Sequence, residues 1–451
     1  MSTNKFSADQ VFRAVQKPEK LAKNPNMKLT EQQRKAVELA PTTSPSLVVA
    51  GAGSGKTELM AVRVLWLVAN GHAEPGQILG LTFTRKAASE LSQRINNGLL
   101  TLSRTEYWPE ELRGKPFAPP NISTYNSYAN ALFHDHALAL GFEPDATLLT
   151  EASRYQLARE VVLKYGSAVD SRIDETDSSL SSIIEAVLAL ASEMADNSVT
   201  AEQINDFVAE TYERIAALPG QNKTEENPIP KTRFNLWSDF FRSGMIANLA
   251  GRFIEEKKTL GMVDYSDQVA LAARAVELMP ELTSDREKAL YKHVLLDEYQ
   301  DTSTLQTRLL KGLFAQHSVF AVGDPNQSIY GWRGASASNL REFISDFGTT
   351  AQPVAQFPLP TSWRNPVGVL NLANKLLEPL NVEPAFITRD LDDRQLAELA
   401  ANKVDVQPLE ARPDANAGDT EVAYLLTQTE EAEHIAKWFE EKLVPNEDGE
   451  K

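Results

Sequence analysis

The run Ser46-Leu-Val-Val-Ala-Gly-Ala-Gly-Ser-Gly-Lys-Thr57 constrains the fold more than any other part of the chain. An apolar, β-branched stretch breaks into a glycine-rich turn and ends in Lys-Thr ahead of a helical pattern. That is the order strand, phosphate loop, helix. Across Gly51, Ala52, Gly53, Ser54 and Gly55, successive backbone N–H groups can curl around an anion, and the N-terminus of the next helix adds its dipole. Lys56 is placed to reach β- and γ-phosphates and Thr57 to offer its hydroxyl to Mg²⁺, so the loop is built for a nucleoside triphosphate. The strict pattern has glycine where this chain has Ala50, a residue small enough for the same turn. A chance Gly-Lys-Thr in an ordinary glycine-rich turn is the bland alternative, and the ordered strand, loop and helix argue against it.

A phosphate loop needs a carboxylate partner for its metal. Val294-Leu-Leu-Asp-Glu-Tyr-Gln-Asp301 supplies one at the end of an apolar run. Asp297 is the expected Mg²⁺ ligand, and Glu298 the group that orients or deprotonates the attacking water. Alone, such a cluster reads equally well as a solvated helix start; beside the loop it reads as chemistry. Adjacent Asp-Glu favours hydrolysis over phosphoryl transfer to a small molecule.

At 451 residues the chain is too long for one ordinary core, and about three domains are expected. The absence of cysteine removes disulfides, iron–sulfur clusters and cysteine-held zinc. His134 and His136 sit two apart on a predicted helix and point to different faces, so a histidine-built metal site is not expected. No run approaches the length that spans a bilayer, which makes no membrane partner and a cytoplasmic location the expectation. Net charge is −17, but residues 381 to 451 hold 18 acidic and 7 basic side chains, leaving −6 for the rest. A nucleic-acid groove needs local positive charge and not a basic total, so composition neither supports nor excludes DNA.

Residues 1–28 are polar, basic and broken by prolines, and read as a flexible arm. Alternating strand and helix signals over 29–125 and again over 262–345 predict a parallel α/β unit, and the all-helical pattern of 126–261 predicts an insertion into it. Residues 346–451 read as an incomplete second α/β unit, with Glu421 to Thr427 a candidate strand and Glu430 to Lys442 a helix.

Val322-Gly-Asp-Pro-Asn-Gln-Ser-Ile-Tyr-Gly-Trp-Arg-Gly-Ala335 resembles the third motif of superfamily 1 DNA helicases of the UvrD/Rep/PcrA type. Leu29 to Val37 resembles their Q motif and Ala50 to Thr57 motif I. Leu81 to Glu90 and Ser123 to Ser127 resemble motifs Ia and Ib, Asp297 to Asp301 motif II, and Leu359 to Asn365 motif IV. The resemblance covers roughly 29 to 375, in the family's order. It implies a RecA-like P-loop NTPase fold, with ATP and Mg²⁺ as cofactors. It also implies that Gln33 reads the adenine edge, Trp363 stacks on the base, and Gln327 and Arg364 approach the γ-phosphate. Those side chains suit the tasks: an amide donates and accepts, an indole offers a flat face, and a guanidinium meets charge spread over phosphate oxygens. Gln33 alone reads equally as a helix-surface amide, and Arg364 beside Trp363 also reads as a cation–π pair.

The same resemblance implies that Phe83, Tyr330 and Trp332 stack on unpaired bases while Thr84, Arg85, Thr124 and Asn126 hold phosphates. The alternative for the rings, Phe83 above all, is ordinary core. Trp363 stands where the family usually has tyrosine, Asn126 where histidine is common and Arg85 where asparagine is common. The expected activity is ATP-dependent translocation on single-stranded DNA, 3′ to 5′, and separation of duplex at single/double-strand junctions, in DNA repair or recombination. A narrower likeness to motor subunits of the actinobacterial helicase–nuclease AdnAB implies a second motor or nuclease subunit as partner. Motifs reading like G-L-E-F and Y-V-A-L-T-R, the latter carrying an arginine finger, are absent after Arg364. The chain is therefore expected to be an N-terminal fragment with weak turnover. The rival readings are a non-motor ATP switch or structural DNA-binding subunit, and an RNA-directed motor.

Overall fold

The structure is a computed structural model that describes residues 5–40, 44–144, 146–169, 179–217, 231–331, 335, 338–381 and 404–442. Among them the strands in chain order are β1 Ser46–Ala50, β2 Ile78–Thr82, β3 Asn121–Thr124, β4 Thr147–Leu148, β5 Met262–Val263, β6 His293–Leu296, β7 Val319–Gly323, β8 Ala355–Leu359, β9 Thr361–Ser362 and β10 Glu410–Ala411. Six of them form one sheet in the order β3-β2-β6-β7-β1-β8, every pair parallel. Successive side chains on a strand point to opposite faces, so β1 sends Leu47 and Val49 into one apolar layer and Val48 and Ala50 into the other. The mixed α/β architecture with a parallel central sheet is that of a RecA-like P-loop domain.

One layer is covered by α1 Ala8–Ala14, α3 Glu31–Val37, α4 Lys56–Ala69 and α5 Arg85–Leu102. The short α2 Pro18–Lys23 lies between the first two in the chain and buries no side chain. The opposite layer is covered by α6 Tyr125–His136 and by helices Tyr265–Leu278 and Thr304–Phe314. Helices Glu151–Val169, Leu180–Asn197 and Lys231–Thr259 contribute to a third apolar cluster, separate from the sheet, as an insertion requires. Buried Lys257 fastens that insertion back, with its Nζ 2.8 Å from Asp264 and 2.7 Å from Asp267, while Arg154 pairs with Asp264 at 3.2 Å. No helix among the described residues is long and apolar enough to cross a membrane.

The structure departs from the sequence reading at three places. Residues 5–28 are not an arm: Ala8, Val11 and Phe12, spaced i, i+3, i+4, make an apolar stripe that is buried on α4. Ser7 and Gln10 form a capping box at the start of α1, and Trp66 Nε1 donates to Phe6 O at 3.0 Å. A boundary at 346 would cut through the sheet, since β8 pairs with β1 from Ser46↔Ala355 to Ala50↔Leu359. Pro358, lacking an N–H, is tolerated because β8 is an edge strand. Finally, Glu421 to Thr427 forms no strand; no neighbouring strand among the described residues offers it a ladder, and helix Gln428–Lys442 follows directly.

Candidate functional site

β1 delivers the glycine-rich turn to the carboxyl edge of the sheet. Gly53 and Gly55 adopt φ of 77° and 86°, a region that penalises a Cβ, and Gly55 caps α4 so that Lys56 is its first residue. Space is equally restrictive: a Cβ on Gly53 would lie 2.6 Å from Arg364 Cβ and 2.9 Å from Ser362 Oγ, and one on Gly51 would run into Leu409. Ser362 Oγ donates to Ala52 O at 2.9 Å, and the Trp363 amide donates to Gly53 O at 2.8 Å. The motif I and motif IV segments are thus held against each other through the loop's own backbone.

Beside the loop, β6 ends in the acidic cluster. Lys56 Nζ lies 2.6 Å from Glu298 Oε2, so the lysine and the glutamate meet where phosphate would enter. Asp297 is buried, and burial, then the neighbouring Glu298 charge, raise its pKa to about 7 against the pull of Lys56. Tyr125 OH donates to Asp297 O at 2.8 Å, fixing the end of β6. Glu298 sits at φ 47°, a left-handed conformation that a non-glycine side chain adopts only when its surroundings hold it. Thr57 stands in the first turn of α4 and Asp297 just past the end of β6; a hydroxyl and a carboxylate are a donor set that could hold Mg²⁺.

The sequence reading missed Gln300, which is 2% exposed. Its Nε2 donates to Glu298 Oε2 at 2.8 Å, and its Oε1 accepts the Asp324 amide at 3.0 Å. Gly323 leaves room for it, since a Cβ there would meet Gln300 Oε1 at 2.8 Å. Gln327 Nε2 in turn donates to Asp324 Oδ2 at 2.6 Å. Glu298 and the loop after β7 are therefore joined by one buried amide, a role that no spacing rule marks.

On the base side, Gln33 and Trp363 line one cavity of about 740 Å³ that reaches Gly55. Gln33 does not present a free amide: its Oε1 accepts the Thr30 amide at 3.0 Å and its Nε2 donates to Ser54 O at 3.2 Å. Trp363 is 43% exposed and available for stacking. Arg364 is exposed beside Gly53 and makes no ion pair among the described residues.

Of the expected nucleic-acid contacts, Phe83 and Tyr330 come together, their ring centroids 4.8 Å apart and their planes inclined by 33°. Both are half-buried, between the core and exposed readings. Thr84 and Thr124 cap α5 and α6, accepting the Ala87 and Ser127 amides at 3.1 Å each, so each hydroxyl is already engaged. Asn126 Oδ1 accepts from Gln306 Nε2 at 2.7 Å, and Arg85 is exposed at the start of α5. Trp332 lies outside the described residues. Tyr265, which sequence reasoning passed over, is 54% exposed and lines the same cavity as Phe83 and Asn126.

A parallel sheet with a phosphate loop after β1, an acidic cluster after β6, one strand removed from it across β7, and an aromatic pair at the same edge defines a P-loop NTPase with a second surface close to its nucleotide site. The model of the UvrD/REP helicase N-terminal domain matches residues 29–348, and the chain belongs to that family. It is 27% identical over 350 residues to DNA helicase II of Haemophilus influenzae, covering 77% of this chain and 40% of that protein. Against ATP-dependent DNA helicase PcrA of Staphylococcus epidermidis it is 26% identical, covering 79% and 40%. Against ATP-dependent DNA helicase Rep of Salmonella typhimurium it is 28% identical, covering 78% and 43%. The chain therefore spans about two-fifths of the length of these relatives.

Proposed function

We propose that the chain carries the nucleotide-binding core of an ATP-dependent superfamily 1 DNA helicase, moving 3′ to 5′ on single-stranded DNA in repair or recombination. The names of its relatives support the activity class, and polarity follows from the family resemblance. ATP would lie with its phosphates in the turn Gly51 to Gly55 and its base between Gln33 and Trp363. When bound, Mg²⁺ neutralises phosphate charge. Thr57 and Asp297 would hold it, Asp297 as the carboxylate. Lys56 would exchange Glu298 for phosphate oxygens, leaving the Glu298 carboxylate to accept a proton from the attacking water. Gln327 and Arg364 would donate to the γ-phosphate as charge spreads over its oxygens. Phe83 and Tyr330 would part to admit bases, with Arg85, Thr84, Thr124 and Asn126 along the backbone.

The observation that carries this reading is the unbroken line from Lys56 through Glu298, Gln300 and Asp324 to the loop bearing Gln327 and Tyr330. It is tested by titrating a fluorescent ATP analogue and a fluorescent oligothymidylate into the chain. Lys56→Ala is expected to weaken nucleotide binding by about 10- to 100-fold, the worth of a charge-assisted contact. Phe83→Ala is expected to cost about 1–3 kcal/mol of single-strand affinity and leave nucleotide binding intact. Oligonucleotide affinity unmoved in the Phe83→Ala/Tyr330→Ala double variant would remove the interface.

A further inference from the structure

The family match begins at residue 29, yet the cavity that holds Gln33 and Trp363 is walled on one side by earlier residues: Phe12, Gln16, Lys20, Asn24 and Asn26. This wall is built, not draped. Asp9 Oδ1 accepts the Leu29 amide at 2.9 Å and Asp9 pairs with Arg34 at 3.7 Å, while Glu38 Oε1 accepts the Ala8 amide at 2.7 Å. Arg13 Nη1 donates to Pro25 O at 2.6 Å and Met27 O at 3.2 Å, closing the loop that carries Asn24 and Asn26. α1 and the start of α3, the helix of Gln33, are consequently tied together through Asp9, Arg34 and Glu38.

The polar side chains of the wall have nothing to do inside the protein. The amides of Gln16, Asn24 and Asn26 and the ammonium of Lys20 engage no partner among the described residues, and all four line the cavity. Gln33, by contrast, spends one acceptor and one donor on Thr30 and Ser54, which leaves it half its capacity to read a base. Amides that both donate and accept are suited to the hydrogen-bonding edge of a purine stacked on Trp363.

We infer that residues 8–28 are a purine-discriminating wall of the nucleotide cleft: Gln16, Asn24 and Asn26 read the base edge that Gln33 leaves, and Asp9 positions Gln33. This rests on the nucleotide-site reading above. The test measures the affinities of ATP, GTP and inorganic tripolyphosphate for the whole chain by competition with a fluorescent nucleotide, in wild type, in Gln16→Ala/Asn24→Ala/Asn26→Ala and in Asp9→Asn. The triple variant alters partly or fully exposed side chains and should keep the fold. The expected result is an ATP-to-GTP affinity ratio reduced about tenfold in the triple variant, and reduced in the same direction in Asp9→Asn, with tripolyphosphate binding unchanged. An unchanged ratio with intact tripolyphosphate binding would overturn this proposal alone. Failure of the wild type to bind tripolyphosphate would overturn the phosphate-loop reading and this proposal together.

Discussion

At the scale of residues, chemistry that announces itself by type and spacing is legible, and chemistry that depends on a fold neighbour is not. Lys56, Thr57, Asp297 and Glu298 are recognisable because a phosphate loop and an acidic strand end leave few other uses for them. Gln300 is invisible in sequence because its role is to join Glu298, past the end of β6, to the Asp324 amide, past the end of β7. His293 is similar: nothing in its neighbourhood in the chain shows that it is buried on β6 with Nδ1 2.7 Å from Ser318 Oγ. Burial first, and then the charge of Arg63, hold its pKa down to about 3 from the ordinary 6.5. The native ring stays neutral while the unfolded ring takes up a proton below about 6.5. The unfolded state thus binds more protons between those values, and stability falls as pH drops through that window. This ring alone should remove about 2 kcal/mol between pH 6.5 and 5. Urea unfolding of wild type and His293→Gln at both pH values checks it; the variant should lose less by about that amount.

At the scale of elements, the periodic signals served wherever they were long or strongly apolar. β1, β6 and α4 fall where their patterns place them, because each is a nearly continuous run of buried side chains. α1 is hard to see in sequence because its apolar stripe is only three residues and it stands in a polar, proline-broken stretch. Its value is large for its length: Phe12 is 6% exposed and belongs to the cluster beneath α4. Phe12→Ala is expected to cost about 3–5 kcal/mol, the usual range for truncating a buried phenylalanine, measured as a lowered unfolding midpoint. An exposed arm would show almost no loss. β8 joins the first sheet although 346–451 reads as a second unit, because a strand's sequence does not state which sheet it joins.

At the scale of the whole molecule, what matters is whether the nucleotide edge and the aromatic edge are one device. Gln300 is buried and makes the direct hydrogen-bonded link from Glu298 to the loop after β7, where Tyr330 rests on Phe83. A triphosphate that draws Lys56 away from Glu298 changes the charge facing Gln300 Nε2, which also donates to Asp301 Oδ2 at 3.2 Å, and a shift of that amide is passed to its other end, which holds the Asp324 amide. Nucleotide and single strand should therefore change each other's affinity by the same factor, as linkage requires, on the order of 5- to 150-fold for an ordinary coupling of about 1–3 kcal/mol. Gln300→Ala cuts the link and leaves both binding surfaces standing. Oligothymidylate affinity measured with and without a non-hydrolysable ATP analogue, and the reciprocal titration, should give a coupling factor near unity in the variant. A full-strength factor in Gln300→Ala would mean that the two edges communicate by another route, such as the packing of Ser362 and Trp363 on the phosphate loop.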